Sequence, residues 1–171
     1  GWLLATGKRW VHLYQPPVGH PTPLLVVYDA QDYLTRGRIT QIVDNLIAQG
    51  RIEPIAMALV DNGGQARGVE YSCNEATVGF VLQDVLSLAR ERLNLVDLTE
   101  RPGAYGVLGA SMGGLMALYT GLRAPRVFGR VLSQSGAFEL GEVQTVVTTL
   151  VRHMPPQPLK IWMDAGRFEW L

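Results

Sequence analysis

Cysteine is almost missing from this sequence. Its one thiol, Cys73, excludes an internal disulfide framework and any zinc site built from several cysteines. Net charge is missing as well, since 15 Lys and Arg balance 15 Asp and Glu. A protein that tracks a nucleic-acid backbone or rests on an anionic membrane carries a basic excess, so neither partner is expected. Long apolar runs are lacking too. The longest, Ile55 to Val60, is far too short to cross a bilayer. No charged-then-apolar leader opens the chain, which leaves a cytoplasmic location as the expectation.

What is present suffices for one core. With 171 residues, 47% of them apolar, the chain can bury roughly 70% of its unfolded surface without a metal or disulfide staple. Short β-type runs alternate with longer helical ones. Arg9 to Gln15 alternates apolar and polar residues, and Leu24 to Tyr28 (LLVVY) and Ile55 to Val60 read as strands covered on both faces. Between them Ile39, Ile42, Val43, Leu46 and Ile47 recur at helical spacing up to Gly50, and a second stripe lies within Asn74 to Leu93. Tyr105 to Leu108, Val127 to Leu132 and Leu159 to Met163 are further predicted strands. A helix carrying Leu115, Met116, Tyr119 and Leu122 ends near Ala124, and a short one spans Val143 to Val151. Strands separated by helices imply an α/β domain, a mostly parallel sheet with helices on both faces. The chain opens on Gly1 and stops a few residues after its last predicted strand, with no helix to cover that strand. It therefore reads as a single incomplete domain over residues 1–171, truncated at the carboxyl end.

One motif carries chemistry. Gly109-Ala110-Ser111-Met112-Gly113 is a G-x-S-x-G, placed after a predicted strand and before a predicted helix. Chance supplies on the order of 0.06 such matches in a chain of this composition, before the context is required. A serine at so sharp a turn projects from the carboxyl end of the sheet over a helix amino end, where the Met112 N–H can donate to a developing oxyanion. A nucleophilic serine also needs a second donor, a base and an acid that orients the base. The loop after LLVVY is placed to supply the donor, with the Gln31 N–H as first candidate and Asp32 as second. Two carboxylates after the last strand compete for the acid: Glu169, beyond the Gly166 turn, is favoured over Asp164. The histidines are His12, His20 and His153, and none falls where this topology needs a base. The base is expected from residues beyond Leu171.

Several stretches together resemble one esterase family, which includes enterochelin (ferric siderophore) esterases, feruloyl esterases, S-formylglutathione hydrolase and the mycolyltransferases. They are WVHLYQPP, LLVVYDAQDYL, DNLIAQGRIEPIAMALVD, RGVEYSCNEATVGFVLQDVL, GVLGASMGGLMALYTGLRAPRVFGRVLSQSGAF and LKIWMDAGRFEWL, and they are distributed along the chain from Trp10 to Leu171. The enterochelin-esterase branch is most similar, through Arg67-Gly68-Val69-Glu70-Tyr71 and Asn74. The resemblance implies a three-layer α/β-hydrolase sandwich and a Ser-acid-His triad, with Ser111 as nucleophile, Met112 in the oxyanion hole and the acid on Glu169. The family's G-G-H histidine motif is absent, so this stretch by itself is expected to be inactive.

The expected function is hydrolysis of a carboxylic ester through an acyl-enzyme, with no cofactor or metal and a small-molecule ester, siderophore or aryl, as substrate. Acyl transfer to an alcohol and a non-catalytic binding module on the same fold are the alternatives. Arg67 and Glu70 are expected to pair with each other and anchor their loop rather than to hold substrate.

Overall fold

Apolar runs that fit a sheet buried on both faces form its middle. The computed structural model describes residue 4 and residues 8–140 and 143–167. Six strands, β1 (Val11–Tyr14), β2 (Leu24–Tyr28), β3 (Ala56–Val60), β4 (Tyr105–Ala110), β5 (Phe128–Gln134) and β8 (Lys160–Asp164), join in the order β1-β3-β2-β4-β5-β8. All neighbours run parallel except β1, which lies antiparallel on β3 at one edge. A small hairpin, β6 (Glu139–Leu140) with β7 (Val143–Gln144), stands apart. Strands β2, β3 and β4 are almost wholly buried, as their unbroken apolar runs require. The short strand β1 lies at the edge, with His12 exposed and Val11, Leu13 and Tyr14 half-buried.

Helices cover both faces, giving the three layers of an α/β-hydrolase-type sandwich. On one face α2 (Ile39–Ala48) buries Ile39 and Val43 against Val27, Met57, Leu59 and Leu108, next to the short α1 (Ala30–Thr35). On the other face lie α3 (Arg67–Glu70), α4 (Glu75–Phe80), a π-helical turn (Val81–Val85), α5 (Leu86–Arg92), α6 (Met112–Arg123) and α7 (Val146–His153). Asn74 starts the α4–α5 run by accepting from the Ala76 N–H at 2.8 Å. Helix α6 is buried along residues 113–122. Its Gly121 sits where a Cβ would overlap the Val131 side chain, so the helix gives up propensity for close approach to β5.

The structure shifts three expectations. Val143 to Val151 is not one helix: Val143 and Gln144 pair in the hairpin, and the helix begins at Val146. Thr145 ends the hairpin by donating its N–H (3.1 Å) and Oγ1 (2.9 Å) to the Phe138 carbonyl. The predicted loop over Asp29 to Asp32 is a single residue, because Ala30 already begins α1. Strands β4 and β5 run two residues past their predicted ends, to Ala110 and Gln134. Among the described residues every member of β8 is exposed, Trp162 at 52%.

The lone thiol tests this packing. Cys73 sits at a positive φ of 55° before α4, and burial raises its pKa to about 11. Iodoacetamide at pH 8 should therefore alkylate the folded chain about 100-fold more slowly than the urea-unfolded chain. The folded rate should climb steadily from pH 8 to pH 10. A rate already half-maximal near pH 8.5–9 and levelling off by pH 10 would mean the thiol is free.

Candidate active site

The strand order places the site before any side chain is considered. From β2 the chain moves to β3 on one side, and from β4 it moves to β5 on the other. The carboxyl ends of β2 and β4 thus flank the point where connections diverge and leave a crevice. Val27 pairs with Leu108, so Asp29 and Ser111 emerge side by side.

Ser111 occupies the bend between β4 and α6 at φ 55° and ψ −122°, a region that costs a non-glycine residue roughly 1–3 kcal/mol. The bend is held at three points. The Ser111 N–H donates to the Gln134 carbonyl at 2.9 Å, and its own carbonyl accepts from Leu115 at 3.0 Å and Ala137 at 3.1 Å. The glycines follow from crowding. A Cβ on Gly109 would overlap the Gly113 carbonyl, one on Gly113 would lie 2.8 Å from Asp29 Oδ2, and one on Gly114 would lie 2.9 Å from Ser133 Oγ. The Ser111 residue itself is exposed, and Met112 is half-buried as the first residue of α6. An N–H in the first turn has no acceptor inside its own helix and points to where the dipole favours negative charge.

The opposite wall is the start of α1. Asp29 is buried at φ 57°, ψ 51°, and its carbonyl accepts from Asp32 at 3.1 Å and Tyr33 at 3.3 Å. That engages the Asp32 amide, the second sequence candidate, in the turn. Gln31, an exposed residue, keeps an N–H in the part of the turn that lacks an intrahelical acceptor. Tyr33 Oη donates to Gln134 Oε1 at 2.5 Å, so the residue whose carbonyl holds Ser111 also holds α1. Burial, with Asp29 and Asp164 nearby, pushes the Tyr33 phenol well above its ordinary pKa and keeps it a donor.

Arg67 and Glu70 do not pair with each other, contrary to expectation. Arg67 donates from Nε (2.7 Å) and Nη2 (2.8 Å) to the two oxygens of Asp29, and Glu70, buried, pairs with Arg9. A carboxylate with little access to water draws the nearest guanidinium across the sheet end in preference to a neighbour on one helical turn. Asn62 Nδ2 adds a third bond to Asp29 Oδ1 at 2.7 Å, and the Asp29 N–H donates to Tyr71 Oη at 3.4 Å. The Arg67 guanidinium also lies 5.2 Å from the Tyr71 ring centre. Its bonds to Asp29 hold its proton more firmly than usual. Asp29, Tyr33 and Gln134 were missed in the sequence. Only Asp29 left a signal, as a residue type that tolerates a left-handed backbone at a strand end.

Of the two acid candidates, Asp164 is engaged: its Oδ1 accepts from the Ser135 N–H at 2.9 Å and caps the bend after β5. Glu169 lies outside the described residues. The three histidines are elsewhere. His153 ends α7, just before β8 begins beside the start of β5, and His20 precedes β2, so both lie at the end of the sheet opposite Ser111. His12 is level with Leu59 on β1, three strands or about 14 Å from β4, and faces Asp61 at 3.5 Å. Among the described residues, no three His, Cys, Asp or Glu side chains are grouped to hold a metal. A groove of about 750 Å³ runs along the sheet face between Tyr33, Ile42, Leu132 and Trp162, and Ser111 does not line it.

A family model described as "Putative esterase" matches residues 6–169. The chain is 31% identical to the iron(III) enterobactin esterase of Dickeya dadantii, over 98% of this chain and 40% of that protein. The crystal structure of enterochelin esterase from Shigella flexneri superposes with a TM-score of 0.80 at 28% identity, covering 90% of this chain and 40% of that one. A structure of the Shigella flexneri enterobactin esterase determined in the presence of enterobactin gives 0.78 at 26% identity over the same shares. The chain thus spans about two fifths of the length of these relatives.

The crowding at the bend predicts an order among glycines. Gly109→Ala meets backbone that cannot yield and should lower the unfolding free energy by about 3 kcal/mol or more in urea titration. Gly106→Ala meets the end of the Leu25 side chain at 3.1 Å, with Arg130 at ordinary contact distance, and should cost about 1 kcal/mol. Equal costs would show that the turn is not tight.

Proposed function

The chain belongs to the esterase family, and from that premise we propose that it carries the nucleophile and oxyanion hole of a serine esterase acting on a siderophore ester of the enterobactin type. The observation that carries this reading is Ser111 itself, exposed at a positive φ over the start of a twelve-residue helix. Nothing in packing requires that strain, and a nucleophile that must stand clear of the sheet does.

Ser111 Oγ attacks the ester carbonyl as its proton passes to a histidine. The new C–O bond places negative charge on the former carbonyl oxygen, which the N–H groups of Met112 and Gln31 stabilise. Collapse breaks the bond to the alcohol, which leaves with the proton from the imidazolium. Water, deprotonated by the same histidine, then releases the acid and restores Ser111. Glu169 is the acid assigned to orient that histidine. Because His20 and His153 lie at the far end of the sheet and His12 stands three strands away from Ser111, the base is assigned to polypeptide following Leu171.

The substrate class rests on the relatives: the enterobactin esterase of Dickeya dadantii aligns over 98% of this chain and the enterochelin esterase of Shigella flexneri over 90%. In the full-length polypeptide that carries this chain, Ser111→Ala should lower turnover of an activated aryl ester by about 10⁴-fold or more. Turnover within tenfold of the parent would overturn the assignment.

A further inference from the structure

A buried carboxylate stands between the two walls of the site. Asp29 Oδ2 is packed so closely on α6 that a Cβ at Gly113 would lie 2.8 Å from it, and Asp29 directly precedes the first turn of α1. One side chain therefore sets the spacing between the turn that presents the Met112 N–H and the turn that presents the Gln31 N–H. The same side chain is a hazard to the chemistry. A negative charge beside a developing oxyanion opposes it, and it does so strongly where little water intervenes. Asp29 is 4% exposed. The hazard is answered at once by Arg67, which grips both oxygens, while Asn62 takes a further lone pair. Arg67 in turn is held over the Tyr71 ring, whose hydroxyl accepts the Asp29 N–H.

We propose that Asp29 and Arg67 form the positioning device of the oxyanion hole: the carboxylate fixes the distance between the two donor turns, and the guanidinium cancels its charge so that the oxyanion is not repelled. Both are positioning residues, since they act through the backbone amides and through each other. The proposal rests on the serine-esterase reading above and adds to it a role for a charge pair that is remote in sequence from the nucleophile.

The consequences differ from those of a pair that merely braces the fold. Arg67→Met leaves the carboxylate bare, so kcat on an aryl ester should fall about 100-fold, the size of losing one oxyanion donor, with KM within about threefold. Arg67→Lys keeps the charge but loses the two-pronged grip, and kcat should fall about tenfold. The double variant Arg67→Met/Asp29→Asn removes both charges and should recover about tenfold in kcat over Arg67→Met alone. A purely structural pair would give the opposite ordering, because the double variant lacks every bond of the network.

The experiment is steady-state kinetics on the full-length polypeptide and its Arg67→Met, Arg67→Lys, double and Ser111→Ala variants, each at a temperature where circular dichroism shows it folded. Lower kcat at constant KM, with recovery in the double variant, supports the device. Arg67→Met with kcat within threefold of the parent, or a double variant no faster than Arg67→Met, overturns it. If Arg67→Met does not fold, Arg67→Lys decides: kcat within twofold of the parent overturns the proposal. Activity surviving in Ser111→Ala is a separate failure, of the serine reading itself.

Discussion

Space for one backbone bend controls this molecule. Ser111 can turn at a positive φ only because Gly109 and Gly113 let strand and helix nearly touch, and because Gln134, Leu115 and Ala137 fix both ends of its peptide. Once that bend exists, other features follow. Helix α6 must start at Met112, run buried beneath the sheet's middle and carry glycine where β5 approaches. Strand β5 must extend to Gln134 to supply the carbonyl that receives the Ser111 amide. Gln134 is then in reach of Tyr33, and the far wall of the crevice is tied to the near one.

Charge completes what geometry begins. Burying Asp29 beside the amino end of α6 is tolerable because Arg67 and Asn62 satisfy its oxygens, and Tyr71 and Tyr28 pack edge to face, ring centres 5.1 Å apart, behind them. The outcome is a crevice with two helix starts facing it and a buried carboxylate, Asp29, matched by a cation. An arrangement of this kind suits the oxyanion hole proposed above, because it favours charge that appears during reaction over charge already present.

Much of this was legible in the residues. LLVVY and the run to Val60 announced buried strands because a strand covered on both faces has no polar positions, and GASMGG announced its bend because few other uses need three glycines around one serine. Other parts were illegible for physical reasons. AQDYLT has too few apolar residues and too little length to show a helical period, so α1 looked like loop. The partners of Arg67 and Glu70 depend on which buried charge lies across the sheet end, and spacing along the chain carries no such information. Val143 and Val151 both suit a helix or a strand, and only the bonds from Thr145 to Phe138 separate hairpin from helix. Gln134 carried no mark at all, since its role comes from backbone register.

The family match and the Shigella flexneri structures agree with the fold along nearly the whole chain. The central claim concerns one side chain, and one measurement reaches it directly. A fluorophosphonate probe should modify the folded full-length polypeptide once, with peptide mass spectrometry locating the adduct on Ser111 and denaturation abolishing it. An adduct on another residue, or a folded protein that stays unmodified, would contradict the account.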